Sequence, residues 1–107
     1  MALTGKNRSD VLQGTLGLLV LKTLAQGPKH GYAIMADILA FAGVKLGPGT
    51  LYGTIQRLEE RKLLQPVQSD DRRQPYELTP DGQRHIREQL RMLQSVTQLG
   101  FQRLEAL

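Results

Sequence analysis

The chain contains no cysteine and no tryptophan, and only two histidines and two phenylalanines. Each shortage closes off a class of function. Without thiols there is no disulfide framework, no thiolate nucleophile and no cysteine-ligated metal. The histidines, His30 and His85, fall on different predicted helices, and neither stands in a cluster resembling a metal site, so no metal and no cofactor is expected. The glycines around Pro48 look like a phosphate loop only superficially, because no strand precedes them and the P-loop lysine is missing. Catalysis is therefore not expected. The most apolar stretch, Leu16 to Leu24, is broken by Gly17, Lys22 and Thr23 and falls short of the roughly 20 residues that span a bilayer. No membrane role is expected. The opening MALTGKNRSD has no apolar run before position 11, which argues against a signal peptide and for a cytoplasmic location.

What is present is a short basic chain of 107 residues with a formal net charge of +4 and a pI near 9.8. That length supports one small core, to which association with a second copy would add buried surface. The charge is compatible with a polyanionic partner but does not require one. Four helical segments and one hairpin follow from the pattern. Ser9 or Asp10 can cap a first helix running to about Gln26, where Gly27 and Pro28 stop it. Its apolar residues point in nearly every direction, so it must be covered on more than one side, which a domain this small is not expected to do alone. A second helix over about His30 to Phe41 carries Ile34, Ile38 and Phe41 on one side. The segment AGVKLGPG then turns into a third helix, GTLYGTIQRLEERKLL, whose Leu51, Ile55 and Leu58 form an inner stripe. Tyr52, Gly53, Gln56, Arg57 and Glu60 fall on the other side of that helix.

After about Lys62 the period changes. Val67, Tyr76 and Leu78 flank the polar tip SDDRRQ as a two-stranded hairpin, with Pro66 and Pro75 confining it to edge-like pairing. Thr79, Pro80 and Asp81 supply a cap, an N1 proline and an acidic first turn for a last helix reaching nearly to the C-terminus. More than half of its circumference is apolar. The chain thus reads as mainly α with a small β-hairpin: a winged helix-turn-helix over residues 1–80, followed by a long dimerisation helix over 81–107 that would build a two-fold homodimer.

GTLYGTIQRLEERKLL, with HGYAI at 30–34 and RRQPYELTPDG at 72–82, resembles the PadR family of bacterial transcriptional regulators over residues 11 to about 90. The single C-terminal helix is similar to the family's shorter members. Gly53 stands where members typically carry proline after the tyrosine, so no target sequence is carried over. The resemblance implies a dimeric regulator of double-stranded DNA, in the manner of a repressor. It also implies a small aromatic or drug-like effector held between the first and last helices, where Leu12, Leu16, Leu19, Met92, Val96 and Leu99 would line the space. Ordinary helix packing is the alternative for all six.

Residue chemistry fits DNA contact. Gln56 can bond adenine N6 and N7 in a bidentate way, Thr50 sits near the helix N-terminus within reach of a phosphate or base, and Tyr52 offers a ring and a hydroxyl. The GPG loop leaves the first N–H groups of the third helix open to an anion. Arg72 and Arg73 at the wing tip suit the backbone or a narrow minor groove, although Asp70 and Asp71 stand beside them. Lys45 is a phosphate neighbour, as are Lys6 and Arg8 if the N-terminal tail contacts DNA. His30 and Tyr32 open a helix that crosses the backbone in this fold. Packing of Tyr32 on the first helix is the alternative there. Glu59 and Glu60 repel phosphate and are expected to point inward or away. A winged-helix module for protein association remains the rival reading, since a fold does not fix a function.

Overall fold

The computed structural model describes residues 15–70 and 72–107. The capping expectation at Ser9 or Asp10, and the expectations for Lys6, Arg8, Leu12 and Asp71, lie outside the described residues. The order is α1 (Leu16–Leu24), β1 (Lys29–His30), α2 (Gly31–Ala42), α3 (Pro48–Glu60), β2 (Leu64–Pro66), β3 (Pro75–Leu78) and α4 (Pro80–Glu105).

Helix α1 is the axis of the body. Every residue from Leu16 to Leu24 is buried or half-buried, because α2, α3, α4 and β3 all pack against it. The described part of this helix is therefore covered within one chain, contrary to the expectation that a partner is needed for it. Even Thr23 is accommodated: its hydroxyl donates to the Val20 carbonyl at 2.9 Å, so no polar group is left unbonded. Around it, Ile34 and Ile38 of α2, Leu51, Ile55 and Leu58 of α3, and Ile86 of α4 complete one core with Leu63 and Leu64. The inner stripe of α3 is thus the expected one, extended by buried Thr54.

Two details of the helices differ from the periodic reading. Phe41 is not on the inner stripe of α2; it is partly exposed, with the Lys22 ammonium 3.5 Å from its ring centroid. A cation over an aromatic face lets the ring lie at the surface without a second apolar cover. Helix α3 begins at Pro48, because proline's fixed φ suits the first helical turn and its missing N–H costs nothing there.

The sheet has three strands in the order β1-β3-β2, all antiparallel, rather than the two of a simple hairpin. Lys29 pairs with Tyr76 and His30 with Pro75. Two residues between a proline and a helix are too few to show an alternating pattern, so this strand leaves no periodic signature. It ties the wing to the start of α2. The wing base is closed further by the Gln74 amide, which donates to the carbonyls of Val67 at 2.9 Å and Pro75 at 2.8 Å.

Helix α4 leaves the body through a tight junction. Lys62 turns the chain with φ 61, and the Thr79 hydroxyl donates to the Lys62 carbonyl at 2.6 Å while accepting from the Gly82 N–H at 2.9 Å. A Cβ on Gly82 would come within 1.8 Å of the Leu63 carbonyl oxygen, so only glycine lets the helix approach β2 this closely. From there α4 runs 26 residues, about 39 Å at 1.5 Å per residue. Its last buried residue is Ile86. Everything from Leu90 onward is exposed, and the longest dimension of the molecule, 57 Å against 29 and 21 Å, reflects this projecting rod.

Candidate nucleic-acid interface

The outward side of α3 is built by elimination. Once Leu51, Thr54, Ile55 and Leu58 enter the core, Gln56, Glu60 and Gly53 are left pointing away from it, with Tyr52 and Arg57 on the two flanks. The structure separates those flanks. On the wing side, Tyr52, Gln56, Glu59 and Glu60 line one groove with Tyr76 of β3. On the other side, Arg57 donates to the Thr54 hydroxyl at 3.3 Å and shares a groove with Arg61, Leu18, His85 and Gln89. Gln56 and Arg57 are sequence neighbours on different surfaces.

Glu59 and Glu60 do not turn inward. Both are exposed and rim the groove that holds Gln56, because their wheel positions lie beside Tyr52 and Gln56 and the core has no room for a carboxylate. Burial, the Glu59 charge and then Tyr52 together raise the Tyr76 phenol above its ordinary value, so it stays a neutral donor at the groove wall.

Tyr52 carries the contact that organises the site. It is 47% exposed, yet its hydroxyl lies against the first residue of α2: a Cβ on Gly31 would be 2.5 Å from that oxygen. Gly31 is therefore glycine to admit the ring. The preceding residue, His30, caps α2, its Nδ1 accepting from the Ala33 N–H at 3.3 Å. Its Nε2 lies 3.3 Å from an Arg73 guanidinium nitrogen on the wing. Gln56, Tyr52, the Gly31 backbone, His30 and Arg73 thus form one continuous surface drawn from α3, the start of α2 and the wing. Thr50 sits exposed in the first turn of α3, and Arg72 is exposed beside Arg73.

Tyr32 and Lys45 form a separate group. They line a groove with Met35, Leu39, Leu46 and Pro48. Tyr32 is 73% exposed, so it does not pack on α1; the inner side of α2 is already occupied by Ile34 and Ile38. The five described effector-pocket residues are not gathered in one chain. Leu16 belongs to the core, Leu19 is half-buried, Met92, Val96 and Leu99 lie exposed along α4, and Leu12 lies outside the described residues.

Sequence reasoning passed over Gly31, Thr54 and the strand Lys29–His30, and it gave Tyr76 a place in the hairpin but none at the site. The H-G-Y tripeptide was the only available signal for the first of these. Among the described residues there is no cluster of His, Cys, Asp or Glu able to hold a metal. No described helix is long and apolar enough to cross a membrane.

The profile of the transcriptional regulator PadR-like family matches residues 20–88. The chain belongs to that family. It is a family of transcriptional regulators, not of enzymes. The fold agrees: a PadR family transcriptional regulator from Eggerthella lenta is 31% identical and superposes with a TM-score of 0.76, covering 92% of this chain and 88% of that one. A PadR family regulator from Clostridium difficile shares the fold at 22% identity, with a TM-score of 0.74 over 84% of this chain and 98% of that one. By sequence, a 37.1 kDa protein of transposon TN4556 from Streptomyces fradiae is 51% identical over 65 residues, 61% of this chain. The chain spans only 19% of that relative's length.

Proposed function

We propose that this PadR-family regulator binds a double-stranded DNA operator as a two-fold homodimer and represses transcription. In this reading residues 1–80 are the DNA-binding unit and 81–107 the dimerisation helix, and the protein works in the cytoplasm. Helix α3 enters the major groove with Thr50, Tyr52, Gly53 and Gln56 at its leading face. The wing places Arg72 and Arg73 beside it. The observation that carries the reading is the continuous surface from Gln56 through Tyr52 and His30 to Arg73. Its polar groups come from three elements and converge on one side, as a duplex requires and a merely solvated helix does not.

The split of α3 refines the roles. Gln56 is the base reader of this reading; Arg57, drawn toward Thr54 and the α4 side, neutralises backbone charge. Tyr32 and Lys45 flank the start of α3 and touch the backbone on its far side. The acidic rim of Glu59 and Glu60 keeps the C-terminal part of α3 away from phosphate, so contact concentrates at the N-terminal half.

Dimerisation is supported by the apolar side of α4, where Leu90, Leu93 and Leu104 continue the line of buried Ile86 into solvent. A small aromatic or drug-like effector fits this reading as a guest of the dimer, since among the described residues Met92, Val96 and Leu99 lie exposed on α4 while Leu16 is buried in the core and Leu19 half-buried.

A gel-shift titration against the DNA just upstream of the chain's own reading frame tests the proposal, repeated with candidate phenolics. Gln56→Ala should lower specific affinity by about 1–3 kcal/mol and relax preference at one base pair per half-site, with the thermal midpoint unchanged. Full affinity and unaltered preference would move protein association ahead. The groove of Tyr32, Met35 and Leu39 would then be the surface to probe.

A further inference from the structure

The contact between His30 and Arg73 sets two donors against each other. A neutral imidazole carries its proton on one nitrogen and accepts at the other. Nδ1 of His30 is committed as acceptor, because it receives the Ala33 N–H at 3.3 Å and so caps α2. The proton must then sit on Nε2. That nitrogen lies 3.3 Å from an Arg73 guanidinium nitrogen, and a guanidinium has only N–H donors. The two groups therefore cannot bond each other. The opposite tautomer would satisfy Arg73 but place a hydrogen on Nδ1 facing the Ala33 N–H and uncap the helix. A doubly protonated ring would do the same and add a second positive charge.

An acceptor lying alongside both resolves the conflict. We propose that His30 and Arg73 form a clamp for a single phosphate oxygen of the DNA backbone, Nε2–H and the guanidinium donating to it side by side. The clamp rests on the DNA-binding reading above and specifies one contact within it. Its two halves come from the start of α2 and from the wing, held in register by the pairing of His30 with Pro75. Filling it locks the wing to the body at the moment of binding. The guanidinium has five N–H donors, so occupying one or two of them with phosphate leaves its other interactions intact. Tyr52 stands next to the clamp against Gly31, which links the phosphate contact to the reading face of α3.

A phosphate contact does not depend on base sequence, so a mixed-sequence duplex of about 30 base pairs serves as probe. Arg73→Gln removes the only charge of the pair and should flatten log K against log salt by about 0.9 per protomer bound. His30→Ser retains a capping oxygen but no reaching donor. It should weaken binding roughly tenfold at every salt concentration with no change of slope. Because both act on one phosphate, the double variant should lose much less than the product of the single losses. In the free protein, nitrogen-15 spectra should show His30 protonated at Nε2, and that resonance should move on adding duplex. Inorganic phosphate at the same concentration should leave it in place.

A proton found on Nδ1, multiplicative losses, or a ring signal that responds to inorganic phosphate and not to duplex would each overturn the clamp while leaving DNA binding standing. Wild-type protein that retards no duplex at any salt would overturn the reading beneath it as well.

Discussion

Helix α1 and the distal half of α4 both carry a series of large apolar side chains, and the fold treats them oppositely. Helix α1 is surrounded by three helices and a strand, with Val20, Leu21 and Leu24 almost fully withdrawn from water. Beyond Ile86, α4 carries Leu90, Leu93, Val96, Phe101 and Leu104, which the other described residues leave exposed. The first stretch stabilises the monomer; the second lowers no free energy until something else meets it. A contiguous apolar side on a projecting helix marks an association surface. The division of labour is spatial. In the proposed dimer the body carries the reading face, and the rod sets how far apart two such faces stand.

The largest effect should come from charging the rod. A buried leucine contributes about 1.5–3 kcal/mol, and a two-fold interface repeats every contact. Leu93→Glu should therefore weaken association by roughly 3–6 kcal/mol, two to four powers of ten in dissociation constant. Sedimentation equilibrium measures it, and circular dichroism should show the body still folded. Wild-type protein that sediments as a folded monomer at micromolar concentration would remove the basis of the comparison.

Within the body the same kind of residue should behave differently. Leu21→Ala opens a cavity in the core and should cost about 2–5 kcal/mol of folding stability, read from denaturant midpoints. Its protein should still associate while folded. Between the two regions stands the junction at Gly82. Gly82→Ala pushes a methyl into the Leu63 carbonyl, so α4 must shift or the strand must yield, at about 1–3 kcal/mol. A loss of both stability and DNA affinity would show that the rod and the wing share this pivot.

The smallest effect concerns Tyr76. Its raised value means the folded protein holds the phenol proton more tightly than the unfolded chain does. The associated stability is fully present below pH 10.0, the unfolded value, and is lost as pH rises through the folded one. Tyr76→Phe should abolish that alkaline decline and leave neutral stability nearly unchanged, as thermal melts on either side of that pH would show.

Much of this architecture was legible in advance because it rests on local chemistry. The stripe of Leu51, Ile55 and Leu58 and the Thr79-Pro80-Asp81 start of α4 each depend on residues a few positions apart, and both stand as expected. So did the family resemblance, whose most specific pieces lie on α3. The misreadings share one cause, which is contact between residues distant in sequence. Phe41 looked inward by period, but Lys22 from another helix lets it lie outside. Glu59 and Glu60 were expected to point inward or away, yet no core position exists to take a carboxylate, and both rim the groove of Gln56. For Tyr32 the alternative of packing on α1 falls away, because Ile34 and Ile38 already fill that side of α2.

The sequence by itself determined which residues could form helices, which side of α3 would be polar, and that the last helix would be longer than one small body can cover. These follow from periodicity and capping, which act within a few residues. Only the tertiary structure decided that Gln56 and Arg57 would face different grooves, that Lys29 and His30 would join the sheet, and that Gly31 would exist to admit Tyr52. It alone set His30 against Arg73, 43 positions apart. Close approach between segments depends on how the whole core is filled, and no stretch of sequence carries that information alone.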